Sequence, residues 1–568
     1  MTKENTESTY INKLVAANHI ENVNITETLY PYCVHHYWDM DLGKSYHQLS
    51  YRVWPFQPGS RKKELEKLSL FLESDGTFQV SAITGRAGNG KSGLVYYFYQ
   101  EMNQNQDWCI YGVNYEVLTD LSYDDFMSSI KGRKILFVID YVLAYAEEIG
   151  RWIKNLRRKC ALHGDLFIRI LLIERIHVEA DKKPYWYIEL VEKNRIEEIC
   201  DYTQFIKLDN LPECLLKEIF VKYIQEKDSK IDVRICSQAA ENIVKRLEES
   251  CKTPLFMKYI ADAWMERPDC KNQKWNKEET LKFMIEKENT RIRGIFDDNQ
   301  KTEGLLKILV YAIALSGITI GKKLPECLKN EWDLLKNGIG SGRPDISHIL
   351  SAFAKVDNES MCLESNFPDV LGELFCLEYL RKKRYEALDE EFIEEFVAQS
   401  WGMKPRAFLG FLCRVIEDFS EHKVVSFSGI LQKPLGIQDA SRVLYADLLR
   451  EYSYWNGDAD NIYDEIIKIY WELVNETETE QAKIEIYEKF AVALFNMIEY
   501  WSGTDVKKGK DCEYWNILRT EICGKYHTEK IDNVYISAYA VMKVRRYGEI
   551  MEELPFDRNG SPYAFSTI

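Results

Sequence analysis

The sequence predicts an α/β domain built on a parallel sheet with flanking helices, followed by a largely helical remainder. The run at 78–83 is rich in β-forming residues, and the run at 134–139 is apolar without alternation, as in a strand buried on both faces of a parallel sheet. After the first of these runs, apolar residues recur every three to four positions, which indicates a helix. From about 212 onward helical spacing prevails, so the second half of the chain is predicted to be mainly helical.

Length and charge limit the classes of function. A chain of 568 residues exceeds what one hydrophobic core supports, so three to five domains are expected. The net charge is −16, and without a long basic run a direct nucleic-acid ligand is not expected. The fourteen cysteines show no C-x-x-C pair and are interpreted as reduced thiols. No apolar leader or membrane span is found, which predicts a cytoplasmic protein.

The residues at 85–92, GRAGNGKS, form a glycine-rich loop between the first predicted strand and its helix. They match G-x-x-x-x-G-K-[ST] at every fixed position, which is the pattern of a phosphate-binding loop. Glycines let backbone N–H groups turn inward, and the helix start adds a positive dipole end. Lys91 is predicted to reach the β- and γ-phosphates of ATP or ADP, and Ser92 to ligate Mg²⁺. The predicted nucleotide-binding residues are Gly85, Ala87, Gly88, Asn89, Gly90, Lys91, Ser92 and Gly93.

An ordinary glycine-rich turn that happens to contain Lys-Ser is the alternative for this loop. The predicted strand at 134–140 ends in Asp140. Since ligands of parallel sheets bind at the carboxyl ends of strands, Asp140 is predicted to hold Mg²⁺ opposite Ser92. The alternative role for Asp140 is to cap the helix that follows.

Arg175 has two interpretations from the residues alone, and Pro254 has an ordinary structural one. Arg175 follows a strand predicted at 166–173 and could sense the γ-phosphate, or could be a surface arginine paired with Glu174. Pro254 precedes a helix predicted at 255–264 and could be an ordinary helix-start proline. A last core strand is predicted at 205–208, and a new helix is expected to start at Pro212.

The N-terminal residues 1–52 have no assigned role. Cys33, His35, His36 and Asp39 lie close together and could suggest a metal site. No second cluster completes it, so an aromatic-rich docking segment is the preferred interpretation.

The order of motifs resembles that of the STAND class of P-loop NTPases, relatives of AAA+ proteins and of NOD-type receptors. The motifs are GRAGNGKS, KILFVID, LLIER, FIKLDNL and TPLF. They look most like bacterial members with VDYA and LLLER-like motifs, and NFPDVLGE at 366–373 resembles their P-D-x-x-G-E segment. The resemblance covers about 56–380.

This resemblance implies a switch in which a nucleotide sits between a P-loop domain, a helical lid and a winged helix. Exchange of ADP for ATP then releases the lid and lets protomers assemble. By the resemblance, Lys91 and Ser92 hold phosphate and Mg²⁺, Asp140 is the Walker B residue, Arg175 a sensor, and Pro254 the lid proline beside the base or ribose. The expected domains are 53–208 (P-loop), 209–295 (lid), 296–390 (winged-helix-like) and 391–568 (helical, TPR-like).

One position departs from the pattern of AAA+ motors, many of which carry Glu directly after the Walker B Asp to polarise water. Here that residue is Tyr141, and none of Glu147, Glu148 and Glu174 can be assigned as the base from sequence. Slow hydrolysis is therefore expected.

Three hypotheses remain. The first is a STAND-type switch ATPase in which a protein trigger binds the C-terminal helices, a separate effector chain supplies the output and the protomers form a nucleotide-dependent homo-oligomer. Signalling, or defence against phage, follows by family analogy alone. The others are an AAA+-like motor acting on DNA or protein, and a nucleotide-binding scaffold without turnover.

Overall fold

The computed structural model describes most of the chain after residue 57. The described residues are 33–34, 58–105, 108–113, 134–161, 166–178, 183–266, 275–293, 298–319, 324–337, 354–357, 362–365, 367, 369–386, 389–419, 429–431, 439–456, 459–502 and 510–545. The predictions for His35, His36, Asp39 and nearly all of 1–52 lie outside these ranges. Within them, no group of three or more His, Cys, Asp or Glu side chains could hold a metal ion.

The described chain forms two compact units. The first contains the described residues up to 400, with 406–418 and 429–430, and the second contains 401–405, 419 and the described residues from 431 onward. The domain boundary predicted at 391 assigns the helices at 390–403 and 405–419 to the C-terminal domain. In the structure these two helices belong largely to the first unit. The five-domain scheme itself stays a prediction.

A parallel sheet organises the first unit and confirms the predicted α/β core. Five strands run parallel in the order β3-β4-β5-β2-β6, and the short β1 pairs antiparallel with the β3 edge. The strands are β1 (Cys33–Val34), β2 (Phe78–Thr84), β3 (Trp108–Val113), β4 (Lys134–Asp140), β5 (Phe167–Glu174) and β6 (Ile206–Lys207). One strand, β5, thus lies between β2, which leads into the glycine-rich loop, and β4, which ends in Asp140.

Helices cover both faces of this sheet. On one face α1 (Lys62–Glu73) and α2 (Lys91–Asn105) contribute to a buried cluster with β2, β3, β4, β5 and β6. On the other face α3 (Ala146–Cys160) places Trp152 edge-on against Phe137, with ring centroids 5.3 Å apart. Burial on both sides explains why β4 is continuously apolar from Ile135 to Ile139.

Four helices follow β6 in the region predicted as a lid. They are α4 (Glu213–Lys227), α5 (Val233–Val244), α6 (Pro254–Glu266) and α7 (Lys277–Arg293). Pro212 is the N-cap residue before α4, and α6 begins at Pro254, one residue before the predicted start.

A winged-helix-like region comes next, as predicted. It contains α8 (Asn299–Ala314), β7 (Ile318–Thr319), α9 (Lys329–Asn337), β8 (Ala354–Asp357), β9 (Cys362–Ser365) and α10 (Asp369–Glu386). The three strands form a small antiparallel sheet in the order β7-β9-β8. Helices α11 (Glu390–Met403) and α12 (Pro405–Phe419) follow.

The second unit is helical throughout its described residues, which confirms the predicted all-α C-terminal part. Its helices are α13 (Asp439–Asn456), α14 (Ala459–Glu476), α15 (Glu480–Ser502), α16 (Lys510–Asn516) and α17 (Glu529–Arg545). Tyr470 of α14 stacks on Phe490 of α15 with centroids 5.0 Å apart. None of the described helices combines the length and apolar character needed to cross a bilayer.

A buried arginine fixes the segment that joins α1 to β2. Arg169 of β5 is 1% exposed. Its guanidinium donates to the carbonyls of Phe71 (3.0 Å), Ser74 (2.7 Å) and Gly76 (3.0 Å). One side chain therefore satisfies backbone acceptors that the turn leaves unpaired.

We predict that Arg169→Met lowers the free energy of unfolding by about 3–5 kcal/mol, because three partly buried carbonyls lose a charged donor at once. The measurement is the urea unfolding midpoint followed by near-ultraviolet circular dichroism. Arg158→Met, at an exposed position of α3, is the matched control and should shift the midpoint little. Equal shifts in the two variants would contradict this role of Arg169.

Candidate functional site

The glycine-rich loop connects β2 to α2 in a backbone conformation that requires its glycines. Gly88 and Gly90 have φ values of +83° and +86°, a region that L side chains rarely adopt. Gly85 has a φ of +150°, and a Cβ there would lie 2.7 Å from the carbonyl oxygen of Leu208. The Gly85 N–H donates to the carbonyl of Arg175 (3.0 Å). The loop is therefore held at the carboxyl edge of the sheet.

Hydrogen bonds of Asn89 and Arg61 attach the middle of the loop to the segment after β6. The Asn89 side-chain amide donates to the Leu208 carbonyl at 2.7 Å. Arg61 donates to the carbonyls of Asn89 (3.2 Å) and Asp209 (2.9 Å), and burial lowers the pKa of its guanidinium. Sequence reasoning missed Arg61, because it precedes α1 and its partners lie 28 and 148 residues away.

The remaining loop residues are Ala87, which is half-buried, and Gly93, which is buried in the first turn of α2. Lys91 donates to the carbonyls of Gly85 and Arg86, the latter at 3.2 Å. Burial lowers the pKa of Lys91 and the Arg175 charge adds to this, while Asp140 acts in the opposite direction. A desolvated ammonium at the loop can approach a polyphosphate without losing a hydration shell first.

Ser92, in the first turn of α2, and Asp140, at the end of β4, lie in contact, as the sequence predicts. The Ser92 hydroxyl donates to Oδ2 of Asp140 at 3.1 Å, and Oδ1 accepts the Tyr141 N–H at 2.9 Å. The alternative that Asp140 caps the next helix is not observed, because Tyr145 is the N-cap residue of α3 and no side chain caps it. A hydroxyl and a carboxylate oxygen side by side suit Mg²⁺, which prefers hard oxygen ligands.

Arg175 is not a surface residue paired with Glu174, so that alternative was wrong. It is 4% exposed. Its guanidinium contacts Glu373 through two hydrogen bonds of 2.7 and 3.2 Å, and also Asp369 (3.3 Å) and Asp418. Buried charges need partners of this kind, and these partners lie 194 to 243 residues away in the sequence. Burial opposes the Arg175 charge, but the surrounding carboxylates raise its pKa well above the usual value.

The acids close to Asp140 have defined partners. Glu174 is 4% exposed and accepts the N–H groups of Leu143 (2.9 Å) and Arg175 (2.7 Å). Its carboxylate therefore holds the turn after β4 in place. Glu148 pairs with Arg406 (2.6 Å) and Arg151, and Glu147 lies in the first turn of α3.

Tyr141 lies where motors carry a glutamate, and its backbone is left-handed with a φ of 58°. Its hydroxyl donates to Asp369 of α10, and burial, followed by the charge of Asp369, raises the Tyr141 pKa well above its usual value. The Arg414 guanidinium lies 5.3 Å from the centre of its ring. Tyr141 thus connects the end of β4 to the winged-helix-like region.

Pro254 lies against the glycine-rich loop. A Cβ on Gly90 would be 3.9 Å from its Cγ, and the Leu255 N–H donates to the Gly88 carbonyl at 3.3 Å. Pro254 is also the first residue of α6. It therefore both starts a helix and lies beside the loop, and the two interpretations are compatible. The start of the predicted lid helix therefore touches the predicted phosphate site.

Comparisons with known proteins add similarities of overall structure. No family model matches the chain, and no curated protein matches it either. Among solved structures, the ORC2 protein of Aeropyrum pernix in ADPNP and ADP complexes is 12% identical, with 59% of this chain and 99% of that chain covered and a TM-score of 0.30. Cdc6p of Pyrobaculum aerophilum is 12% identical, with 61% and 99% covered and a TM-score of 0.31.

The Thermotoga maritima RuvB Holliday junction branch migration motor is 15% identical, with 55% of this chain and 92% of that chain covered and a TM-score of 0.25. Similarities this low decide nothing about function. The P-loop fold of this chain rests on its own sheet order and loop.

We predict that Gly88→Ala weakens both the fold and nucleotide binding. A Cβ at this φ costs roughly 1–2 kcal/mol, and it would lie 2.9 Å from Thr253 Oγ1 and 3.1 Å from the Leu255 Cβ, forcing α6 away from the loop. Thermal unfolding and titration with a fluorescent ATP analogue measure the two effects. The control is Gly59→Ala, where no atom lies within 4 Å of the new Cβ. Unfolding and affinity equal to those of the control would contradict the argument.

Proposed function

We propose that this chain is a STAND-type switch ATPase that binds ATP and ADP on the glycine-rich loop and hydrolyses ATP slowly. The observation that carries the proposal is the contact between Ser92 and Asp140 beside the half-buried Lys91. A phosphate-binding loop, an ammonium and a paired hydroxyl and carboxylate at one sheet edge are the parts that nucleotide triphosphate chemistry requires.

The residues divide the work by their chemistry. Backbone N–H groups at 85–92 and the start of α2 would bind the phosphates, and Lys91 would neutralise the β- and γ-phosphates. Ser92 and Asp140 would hold Mg²⁺, which when bound supplies charge neutralisation and polarises the phosphoryl group. Pro254 would lie by the base or ribose, as the STAND resemblance implies. Arg175 would act as a sensor of the γ-phosphate once its carboxylate partners release it.

Slow turnover follows from the acids near Asp140. Position 141 offers a phenol with a raised pKa in place of a carboxylate. Both carboxylate oxygens of Glu174 accept hydrogen bonds from backbone N–H groups, and Glu148 is paired with arginines. A device of this kind rests in one state, and a ligand shifts it only by its differential affinity for two states.

The wider proposal rests on the resemblance. A protein trigger would bind the helical second unit, ATP would promote a homo-oligomer, and a separate effector chain would supply the output in the cytoplasm. Signalling in antiviral defence is the analogous role. The nucleotide that copurifies with the protein, identified by chromatography, tests the proposal directly, with ADP expected.

We predict that Lys91→Ala weakens ATP binding by about 30-fold or more, because the charge facing the phosphates is worth roughly 2–3 kcal/mol. Fluorescent-nucleotide titration measures the change. Lys62→Ala, at a lysine whose side chain is 80% exposed on α1, is the control and should bind normally. Unchanged affinity in the Lys91 variant would overturn the assigned role.

We predict that Asp140→Ala retains ATP binding within a few-fold but loses most Mg²⁺-dependent hydrolysis, since Asp140 would orient the metal rather than contact phosphate. Phosphate release in single-turnover reactions measures this, with binding recorded on the same samples. Asp201→Ala, at an exposed residue, is the control. Wild-type hydrolysis in the Asp140 variant would refute the metal role.

Two rival functions give different results in the same assays. Steady turnover stimulated by DNA or polypeptide would favour a motor, and tight binding with no phosphate release would favour a scaffold. Copurifying ADP, with assembly only when both trigger and ATP are present, would favour the switch.

A further inference from the structure

A largely buried group of six charged residues joins the end of β5 to three helices outside the sheet. We call it the Arg175 cluster. Its cations are Arg175, Lys277 and Arg414, and its carboxylates are Asp369, Glu373 and Asp418. Arg175 directly follows β5, while the others come from α7, α10 and α12. The cluster therefore ties the nucleotide edge of the sheet to helices far away in sequence.

The geometry of the cluster is that of a saturated ion network. Glu373 is 1% exposed and accepts two hydrogen bonds from Arg175 and one from Arg414 Nε at 3.0 Å. Lys277 Nζ contacts Asp418 Oδ1 at 2.6 Å. Three cations face three carboxylates, so the charges balance only while all four segments stay packed.

A neighbouring acid leaves this balance unchanged. Burial first, and then the Asp418 charge, raises the pKa of Glu417 to about 8. Glu417 is therefore largely protonated near neutral pH. Burial opposes the Asp418 charge, but Lys277 and Arg175 outweigh burial and keep the pKa of Asp418 below its usual value.

The cluster borders the glycine-rich loop. Burial first, and then the charge of Arg175, lowers the pKa of Lys91. Gly85, the first residue of the loop, donates its N–H to the Arg175 carbonyl at 3.0 Å. The Arg175 backbone thus holds the loop while its side chain holds α10 and α12.

We propose that the Arg175 cluster is an autoinhibitory latch in which Asp369, Glu373 and Asp418 hold the guanidinium that a γ-phosphate would otherwise take. This inference rests on the proposed nucleotide switch. One guanidinium has a limited set of donors, so Arg175 serves the carboxylates or a terminal phosphate. Binding of a triphosphate then frees α10 and α12, and a diphosphate, which lacks the competing group, leaves the latch closed.

The charge balance of the cluster determines when Arg175 exchanges its carboxylate partners for a γ-phosphate. A γ-phosphate brings additional negative charge to a region that already holds three carboxylates, and like charges in a poorly solvated site repel strongly. Removing one member of a buried ion network is costly when its partner stays buried. The same rule means that release is favourable only when the phosphate replaces the carboxylates as the partner of Arg175.

Three substitutions weaken the latch without touching the predicted phosphate or metal ligands. Glu373→Gln removes the carboxylate with two hydrogen bonds to Arg175. Asp369→Asn and Tyr141→Phe are milder, because Asp369 has a side chain that is 34% exposed and Tyr141 loses only its hydroxyl. The control is Glu331→Gln, which removes one partner of the Lys307–Glu331 ion pair (2.9 Å) between α8 and α9, away from Arg175.

The experiment uses the full chain loaded with a fluorescent ADP. We measure the rate of ADP release after dilution into unlabelled nucleotide, and the molecular mass with a non-hydrolysable ATP analogue by analytical ultracentrifugation. Glu373→Gln should release ADP at least tenfold faster than the unsubstituted chain and assemble without a trigger. The two milder variants should release ADP severalfold faster, and Glu331→Gln should match the unsubstituted chain.

The outcomes separate the two proposals. ADP release and mass unchanged in folded Glu373→Gln would overturn the latch while leaving the switch intact. If Glu373→Gln fails to fold, Asp369→Asn and Tyr141→Phe decide, and wild-type behaviour in both refutes the latch. An acceleration equal to that in Glu331→Gln would also refute it. Failure of the unsubstituted chain to bind nucleotide would refute the proposed function, and the latch with it.

Discussion

The parallel register of β2, β5 and β4 is the constraint on which the rest of the site depends. Thr84 lies opposite Glu174, and Asp140 lies opposite Ile173, so the three strands end at the same level. Parallel strands deliver their following loops to one edge. The glycine-rich loop, Asp140 and Arg175 therefore meet, although they come from three separate stretches of sequence. A one-residue shift of β4 against β5 would turn Asp140 toward the opposite face of the sheet.

Bringing these groups together places two cations close to each other, and carboxylates from distant parts of the sequence offset their repulsion. Arg175 is a buried cation and Lys91 a half-buried one at the same edge, and each lowers the stability of the other's charge. Glu174 is beside them, but it is used by backbone N–H groups. The charges that compensate Arg175 come instead from α10 and α12. The winged-helix-like region and the helix after it are thus part of the electrostatics of the nucleotide edge.

How far the sequence could predict this depends on the range of each interaction. The loop and its Lys91 and Ser92 follow from local spacing, and Asp140 from the apolar run before it, because strand-end geometry is a general property of parallel sheets. The partners of Arg175 had no local signal. The P-D-x-x-G-E-like segment contained Asp369 and Glu373, but nothing in their spacing indicates an arginine 194 or 198 residues away. Arg61 and the turn-holding role of Glu174 were missed for the same reason.

Tyr141 links the proposed slow hydrolysis to the contacts that hold the end of β4. A bulky residue at a φ of 58° is strained by about 1–2 kcal/mol, so the surrounding contacts must hold it there. They include the Glu174 carboxylate, which fixes Leu143, and Asp369, which accepts the Tyr141 hydroxyl. A glutamate at this position could polarise water, but it would place another negative charge beside Asp369 and Asp140. Tyr141 stands in place of a water-activating acid and also supplies the donor that ties β4 to α10, so the proposed low turnover and this contact would have one structural cause.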